Sequence, residues 1–267
     1  MQPFEIVVCA SIVPDPLQTL EPAPGPALKN EMMLPAVLDP WAAHALYEAA
    51  ALAKRITGSK VRLVSLSPKA KLQQVMMTVA QKAPFELVAL DGPAGGFTDP
   101  AEAAALLAEA IQGIAGLDRS RLLIFGGWES ASRGAGVTLQ MLGERLGIAE
   151  QFQGVDELVV AEDGSFEVLE RIEGGLHQVS RCSGPPAVLG WATGNLPEPP
   201  NNPQVGMANM RAIMPALQRA WQVKLDSSDL AFTGVRLPAQ RRETRIVKNL
   251  TPDEIAREIV AWIRNEK

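Results

Sequence analysis

The residues that could do chemistry in this chain are few. The sequence holds two histidines, His44 and His177, and two cysteines, Cys9 and Cys182. His44 lies within a predicted helix, His177 lies within a predicted hairpin strand, and Cys9 lies in an apolar strand, where a thiol is usually buried and unreactive. No Walker loop is present, and no G-x-G-x-x-G run follows a predicted strand. We therefore expect no metal site and find no set of catalytic residues.

One loop has the composition of a phosphate-binding segment. It runs from Gly126 to Thr138, reads GGWESASRGAGVT and leads into a predicted helix. Free backbone N–H groups at a helix start, together with the helix dipole, attract phosphate. Arg133 could add positive charge, and the Ser and Thr hydroxyls could donate hydrogen bonds. A plain flexible strand-to-helix loop is the alternative on these features alone. The candidate site residues in the loop are Gly126, Ser132, Arg133, Gly134, Gly136, Val137 and Thr138.

Four continuous apolar runs predict the strands that position this loop. They are Glu5–Ala10, Val61–Leu66, Phe85–Leu90 and Leu122–Gly126. Continuous rather than alternating runs are typical of strands covered on both faces. Helical patterns lie between them, and the last covers residues 136–146. The alternation predicts an α/β fold, a Rossmann-like, mostly parallel sheet with flanking helices. Ligands bind to such sheets at the carboxyl ends of the strands.

Four helix starts share one device, a capping side chain followed by proline. These pairs are Asp39-Pro40, Ser67-Pro68, Asp99-Pro100 and Thr251-Pro252. Glu102 and Glu254 each lie three residues after such a cap, which predicts a capping box at both helices.

The second half of the chain has a different pattern. Three alternating strands separated by turn sequences predict a β-hairpin extension. The aperiodic segment 194–203 is predicted to be a long exposed loop, and the irregular segment 225–240 is predicted to be an arm or a linker. The elements predicted here are strands at Val155–Ala161, Phe166–Ile172, Leu176–Cys182 and Ala187–Trp191, and helices at Met207–Trp221 and Thr251–Asn265.

Composition and charge exclude several classes of protein. The 267-residue chain has a formal net charge of −5 and is 47% hydrophobic, which is ordinary for a folded globular protein. The acidic balance gives no electrostatic reason to bind nucleic acid. No apolar run approaches the roughly 18 residues of a transmembrane segment. The amino-terminal residues lack a signal-peptide pattern, so we expect a cytoplasmic protein.

Several motifs, taken in order, resemble the beta subunit of electron transfer flavoproteins. Val13-Pro14-Asp15 is similar to that family's V-P-D turn, and Asp39-Pro40-Trp41 stands where the family has N-P-F or N-P-Y. The segment VSLSP at 64–68 is similar to V-S-x-G-P, and ERIEGGL at 170–176 is similar to the R-E-[IV]-D-G-G-L-E hairpin. Pro186-Ala187-Val188 resembles the L-P-A-V-V strand. The resemblance covers most of the chain, from about residue 4 to the terminal helix.

This resemblance implies an electron carrier without catalytic residues of its own. In that family the beta subunit pairs with an alpha subunit that holds most of one redox-active FAD, and beta usually binds AMP. The implied partners are the alpha subunit, an acyl-CoA or other flavin dehydrogenase as electron donor, and a quinone oxidoreductase or other acceptor. The implied domains are residues 1–222, nucleotide-binding with a recognition loop, and residues 223–267, an arm and helix that contact the alpha subunit.

The resemblance also assigns residues by position. It places the nucleotide pocket at Cys9, Ser11, Asp39, Val64, Leu66, Gly126 and Gly136–Thr138. The family's usual loop carries two or three acids, whereas Glu129 is the only acid here. Thr138, Gln140 and Met141 match the family's T-G-Q-M, with Leu139 in place of glycine.

A second set of residues is assigned to partner docking. The stretch Gly206–Met210 matches the family's recognition segment and places Met207 where an exposed leucine enters a pocket on the dehydrogenase. A flexible thioether suits varied apolar pockets. The resemblance therefore makes Met207, Asn209 and Met210 docking candidates, although the lysines common in that segment are missing. The alternative is that Met207 and Met210 only pack the helix.

Two other functions stay open on the sequence alone. One is an adenine-nucleotide-binding regulatory module on a similar sheet, which the long hairpin and terminal arm disfavour. The other is an NADH-dependent, electron-bifurcating variant in which a second FAD takes the AMP site. The scarcity of acids in the loop disfavours that variant.

Overall fold

The computed structural model describes residues 2–225, 230–239 and 246–264. The chain divides into two compact units, Met1–Val235 and Arg236–Lys267. The first unit carries the sheet and the helices that cover it, and the second carries the terminal helix. Within the described ranges, no helix combines the length and the apolar character that crossing a bilayer requires.

The elements follow one another along the chain in a largely alternating order. The strands are β1 (Glu5–Cys9), β2 (Ile12–Pro14), β3 (Pro22–Ala23), β4 (Ala27–Leu28), β5 (Ala36–Leu38), β6 (Lys60–Ser67), β7 (Glu86–Asp91), β8 (Leu122–Gly127), β9 (Gln151–Val160), β10 (Phe166–Arg171), β11 (His177–Cys182), β12 (Ala187–Trp191) and β13 (Trp221–Gln222). The helices are α1 (Pro40–Arg55), α2 (Lys69–Val79), α3 (Pro100–Gln112), α4 (Thr138–Leu146), α5 (Pro203–Gln218) and α6 (Pro252–Ile263).

Nine strands form the central sheet in the order β11-β10-β9-β12-β8-β1-β6-β7-β13. Seven neighbouring strands of this sheet are parallel, in the order β9, β12, β8, β1, β6, β7 and β13. Strands β9, β10 and β11 form the antiparallel hairpin extension at the other edge. The predicted Rossmann-like α/β fold with a β-hairpin extension is therefore confirmed.

Two hydrophobic cores explain why the parallel strands are apolar without alternation. Ile6 and Val8 of β1 point to a core that includes α1, α2 and α5. Val7 and Cys9 point to the opposite core, which includes α3 and α4. Because helices cover both faces, every position of the strand needs an apolar side chain.

The proline-marked helix starts are confirmed at three of four positions. The side chains of Asp39, Asp99 and Thr251 cap α1, α3 and α6 as predicted. The cap at Ser67 is wrong, because β6 extends to Ser67 and pairs it with Asp91 of β7. The Asp91 carboxylate then accepts from the Lys69 N–H at 2.8 Å and caps α2 from the neighbouring strand.

Three further expectations need correction. The capping box at Glu254 is present, but that at Glu102 is wrong, because Glu102 Oε1 is buried without a hydrogen-bond partner. Helix α5 begins at Pro203 rather than Met207, capped by Asn202, and ends at Gln218. Trp221 then pairs with β7 as part of β13 instead of ending the helix. Helix α4 begins at Thr138, two residues later than predicted.

Candidate functional site

A cleft lies at β1, where the order in which strands are added to the sheet changes from one side to the other. Strands β6 and β7 extend the sheet to one side of β1, and β8 adds to the other side. Such a switch point places loops from two neighbouring strands on either side of a crevice. The cleft has a volume of about 150 Å³ and is partly open to solvent. Its lining comes from segments 9–13, 94–107 and 127–139, together with Asp39, Ala42 and Leu66.

The structure brings together most of the predicted pocket residues. Those that line the cleft are Cys9, Ser11, Asp39, Leu66, Ser132, Arg133, Gly136 and Thr138. Those that do not line it are Val64, Gly126, Gly134 and Val137. Val64 and Gly126 pair with Cys9 from both sides inside the sheet, and Val137 faces solvent at the start of α4 with 45% of its surface exposed. For these four positions the role in nucleotide binding stays a prediction, and they lie outside the lining of the cleft.

Asp39 joins three segments of the cleft and is almost entirely buried. Its Oδ1 accepts from the Trp41 N–H at 3.1 Å, and its Oδ2 accepts from the Ala131 N–H at 2.9 Å. The Asp39 N–H in turn donates to the Ser11 carbonyl at 2.9 Å. Burial raises the pKa of Asp39, while the hydrogen bonds from Ala131 and Trp41 act in the opposite direction. This carboxylate therefore fixes the loop after β8 against the start of α1.

Two glycines allow the backbone to pass closely around the cleft. A Cβ at Gly136 would lie 2.6 Å from the Trp128 carbonyl oxygen. A Cβ at Gly127 would lie 2.5 Å from Trp41 Cβ. A side chain at either position would push apart the backbone segments that form the cleft wall.

Helix α4 begins at the cleft without a capping side chain. Val137 precedes it and offers no oxygen, whereas each of the other five α-helices of the described residues starts against a side-chain oxygen. The first turn of a helix leaves backbone N–H groups without intrahelical partners. Thr138 and Leu139, the first two residues of α4, line the cleft. These N–H groups are consequently available to an anion.

Arg133 ties the two sides of the cleft together. Its guanidinium donates to the Gly96 carbonyl at 3.0 Å and to the Thr98 carbonyl at 2.9 Å. The Phe232 ring lies over the same guanidinium, 4.9 Å from Cζ to the ring centroid. Partial burial lowers the pKa of Arg133, and the Asp99 carboxylate opposes this shift. The predicted role of Arg133 is to bind phosphate, but two of its guanidinium nitrogens donate to carbonyls within the chain.

The rest of the cleft wall is mostly apolar. Leu66, Leu107 and Leu139 line it from three different elements. Cys9 also lines it, and burial raises the pKa of the Cys9 thiol to about 12, so the thiol is unreactive as expected. An apolar wall beside a helix N-terminus suits a ligand with a flat hydrophobic part and an anionic part.

A tryptophan pair lies next to the cleft. Trp41 and Trp128 pack edge to face with ring centroids 6.2 Å apart; Trp41 lies close to Gly127 in space, and Trp128 follows Gly127 in the sequence. The backbone N–H of Trp128 donates to the Trp191 carbonyl at 3.0 Å and anchors the beginning of the loop. The Trp128 indole nitrogen is buried with no hydrogen-bond partner among the described residues.

One side of the cleft was missed by sequence reasoning. Gly95, Gly96 and Thr98 line it from the segment between β7 and α3. The glycine pair after a buried strand, in the run DGPAGGFTDP, was a signal that could have identified this segment.

The remaining candidate residues lie elsewhere. Cys182 is half-buried on the hairpin, and His44 packs edge to face on Tyr47 at 6.2 Å. His177 Nε2 lies 2.9 Å from Asp156 Oδ2 on the hairpin extension. The described residues contain no group of three or more His, Cys, Asp or Glu side chains arranged to hold a metal ion.

The three docking candidates differ in their environments on α5. Met207 has 66% of its surface exposed, so it is free to contact another protein. The Asn209 side chain donates to the Ala80 and Ala83 carbonyls at 2.8 and 3.0 Å, after the end of α2. Met210 packs against the core. Asn209 and Met210 thus hold α5 in place, which leaves Met207 as the exposed candidate.

A known family model matches most of this chain. A model described as the electron transfer flavoprotein domain matches residues 30–219, well over half of the sequence. The matched region includes Asp39, both sides of the cleft and α5. A search of curated proteins found no match.

Proposed function

The chain belongs to the electron transfer flavoprotein domain family, and we propose that it is the beta-type subunit of a heterodimeric electron transfer flavoprotein. In this proposal it pairs with an alpha-type subunit that holds most of one FAD. The heterodimer accepts electrons from an acyl-CoA or other flavin dehydrogenase and passes them to a quinone oxidoreductase or another acceptor. The bound flavin supplies the redox chemistry, and this chain supplies binding and docking surfaces rather than catalytic residues.

The cleft is the proposed site of AMP. The observation that carries this proposal is the uncapped start of α4 inside a cleft at the switch point of the sheet. The N–H groups of the first turn would bind the phosphate. Leu66 and Leu107 would contact the adenine ring, and Gly136 gives the backbone the close approach that this arrangement needs. The residues present therefore fit an adenine nucleotide.

The exposed apolar face of α6 favours a subunit over a self-contained nucleotide regulator. Ile255, Ile259 and Trp262 are spaced by four and three residues and lie on one face of this helix. All three are exposed, Trp262 with 76% of its surface. An apolar helical stripe of this kind is typical of a surface that a partner covers. We propose that the alpha-type subunit is this partner.

Co-expression with the alpha-type subunit of the same organism tests the proposal. We expect a yellow heterodimer that contains one FAD and that is reduced by a flavin dehydrogenase. A colourless, monomeric product in the presence of the alpha-type subunit would contradict the proposed assembly. A second flavin in each heterodimer, with direct oxidation of NADH, would instead support the bifurcating variant.

Met207 is the proposed docking residue for the dehydrogenase. Met207→Ala should slow electron transfer from the dehydrogenase without changing the flavin content, because loss of a buried interface anchor costs about 1–4 kcal/mol. Met33→Ala is the control, since Met33 has 84% of its surface exposed and lies far from α5 in the sequence. Equal transfer rates for the two variants would show that Met207 is ordinary surface.

A further inference from the structure

We propose that Arg133 and Phe232 form a clasp, a pair of side chains that holds the two sides of the cleft together. The clasp couples nucleotide binding to the position of segment 230–235. The proposal rests on the proposed AMP site, because it assigns to that site a link with the part of the chain that leads towards the terminal helix. Arg133 acts here as a positioning residue.

The clasp joins two rims that face each other across the cleft. The first rim is residues 94–98 and the second is residues 129–136, and both contribute to the cleft lining. Gly96 of the first rim lies so close to the second that a Cβ there would be 3.5 Å from Ser132 Cβ. Arg133 donates across this gap to the Gly96 and Thr98 carbonyls. The two hydrogen bonds therefore set the distance between the rims.

Phe232 contacts both rims with a single ring. It lies over the guanidinium of Arg133 on the second rim, at 4.9 Å. It also packs against Phe97 on the first rim, with ring centroids 5.8 Å apart and planes at 69°. Cations over aromatic faces and edge-to-face aromatic pairs both contribute attractive energy. Loss of this ring would thus weaken the hold on each rim.

Within segment 230–235, residues 231–233 are held by the same ring contacts. Phe232 is half-buried, whereas its neighbours Ala231 and Thr233 are exposed. The seated ring is consequently the main side-chain anchor of residues 231–233. Movement of either rim would change what the ring contacts.

A ligand that touches both rims must then be coupled to this segment. AMP in the cleft would contact residues of both rims, so it binds more tightly when the clasp already holds them at the correct distance. Thermodynamic linkage makes the effect reciprocal, so AMP must also favour the seated position of Phe232. Nucleotide binding would in this way order the segment that precedes the proposed alpha-subunit contact.

Titration calorimetry with AMP on the full chain tests the clasp. Phe232→Leu keeps an apolar side chain but removes the ring, and we expect it to weaken AMP binding about three- to tenfold. Phe232→Tyr should restore the affinity because it restores the ring. Leu237→Ala is the control, since Leu237 lies in the same arm with 69% of its surface exposed, and its AMP affinity should equal that of the unmodified chain.

Hydrogen–deuterium exchange supplies a readout that a merely structural role would not change. We expect AMP to slow exchange of residues 230–235 in the unmodified chain but not in Arg133→Ala, and Arg133→Lys should recover only part of the effect. Unchanged AMP affinity in Phe232→Leu would overturn the clasp while leaving the AMP site intact. A failure of the unmodified chain to bind AMP would overturn the proposed site and the coupling together.

Discussion

Two buried carboxylates anchor two regions of the molecule in opposite ways. Asp39, at the cleft, accepts hydrogen bonds from backbone N–H groups of α1 and of the loop after β8. Asp156, on the hairpin extension, accepts from the Arg171 side chain at 2.9 and 2.7 Å and lies 2.9 Å from His177 Nε2. One carboxylate joins main-chain segments around an open space, and the other completes a network of side chains.

The pKa values follow this difference. Burial raises the pKa of Asp39, and the backbone N–H groups offset that shift only in part. Burial also acts to raise the pKa of Asp156, but the hydrogen bonds from Arg171 and His177 outweigh it, so the pKa lies below its usual value. On the hairpin, the negative charge of Asp156 is thus balanced by the side chains of Arg171 and His177. At the cleft, the carboxylate of Asp39 accepts from backbone N–H groups and the Ser11 hydroxyl. Among the described residues, the backbone N–H groups at the start of α4 have no capping side chain and stay available to a ligand.

The largest effect that tests this comparison is expected at Asp39. Asp39→Ala removes a helix cap and leaves the Ala131 N–H without the carboxylate oxygen that accepts its hydrogen bond, which should lower the free energy of unfolding by about 2–4 kcal/mol. AMP binding should be lost with it, because the loop after β8 is released. Chemical denaturation and AMP titration measure both effects.

The matched control is Asp99→Ala. Asp99 also caps a helix that begins with proline, but its carboxylate accepts from the N–H of Ala101, on its own helix, at 2.8 Å. This variant should lose about 1 kcal/mol. Equal losses in the two variants would show that Asp39 is only a cap and does not organise the cleft.

The next effect is expected at Gly136. Gly136→Ala would place a Cβ 2.6 Å from the Trp128 carbonyl oxygen, so the loop must shift, at about 1–3 kcal/mol. We expect AMP affinity to fall in parallel. Gly113→Ala, at the end of α3 with its nearest contact at 3.4 Å, should be nearly neutral, and wild-type AMP affinity in Gly136→Ala would contradict the assigned cleft wall.

Asp156 should give a smaller effect that is confined to the hairpin. Asp156→Ala removes the shared acceptor of Arg171 and His177, but both side chains are about two-fifths exposed and can be hydrated instead. We expect a loss of about 1–2 kcal/mol with unchanged AMP affinity. Glu167→Ala, whose partner Arg181 is 80% exposed, should change stability by less than about 0.5 kcal/mol. Weakened AMP binding in Asp156→Ala would show that the two regions are coupled.

The smallest expected effect is on the pH dependence of the free energy of unfolding. Its sign differs between the two carboxylates, because the pKa of Asp156 is lowered and that of Asp39 is raised. Asp156 has a lowered pKa in the folded chain, so its contribution is present above about pH 3.9 and is lost as the pH falls through the folded value. Asp39 has a raised pKa, so the folded chain gains stability as the pH falls through that value towards about 3.9. Denaturation between pH 7 and 3, compared with Asp156→Asn and Asp39→Asn, should give difference curves of opposite slope.

Local physics made much of the fold predictable from the sequence. The continuous apolar run of β1 requires cover on both faces, and the Asp-Pro pairs at 39–40 and 99–100 mark helix starts through contacts within a few residues. Asn202-Pro203 carries the same local signal and was missed. The cap of α2 could not be predicted from the sequence, because its acceptor Asp91 comes from the next strand.

The site was predictable only in part, for the same reason. The loop after β8 shows its small residues in the sequence. Eight of the twelve predicted pocket residues line the cleft, and four of these eight lie in that loop. The partners of Arg133 are 35 and 37 residues away in one direction, and the ring of Phe232 lies far along the chain in the other. Asn209 likewise bonds to carbonyls more than 120 residues away. Contacts of such separation depend on the assembled sheet.

The placement of Trp41 and Trp128 gives the protein an intrinsic optical probe. Trp128 begins the loop that forms one wall of the cleft, and Trp41 is the second residue of α1. Because indole emission responds to polarity and to nearby stacked rings, filling the crevice should alter the fluorescence of this pair. Binding could then be followed at micromolar protein concentration without any attached dye.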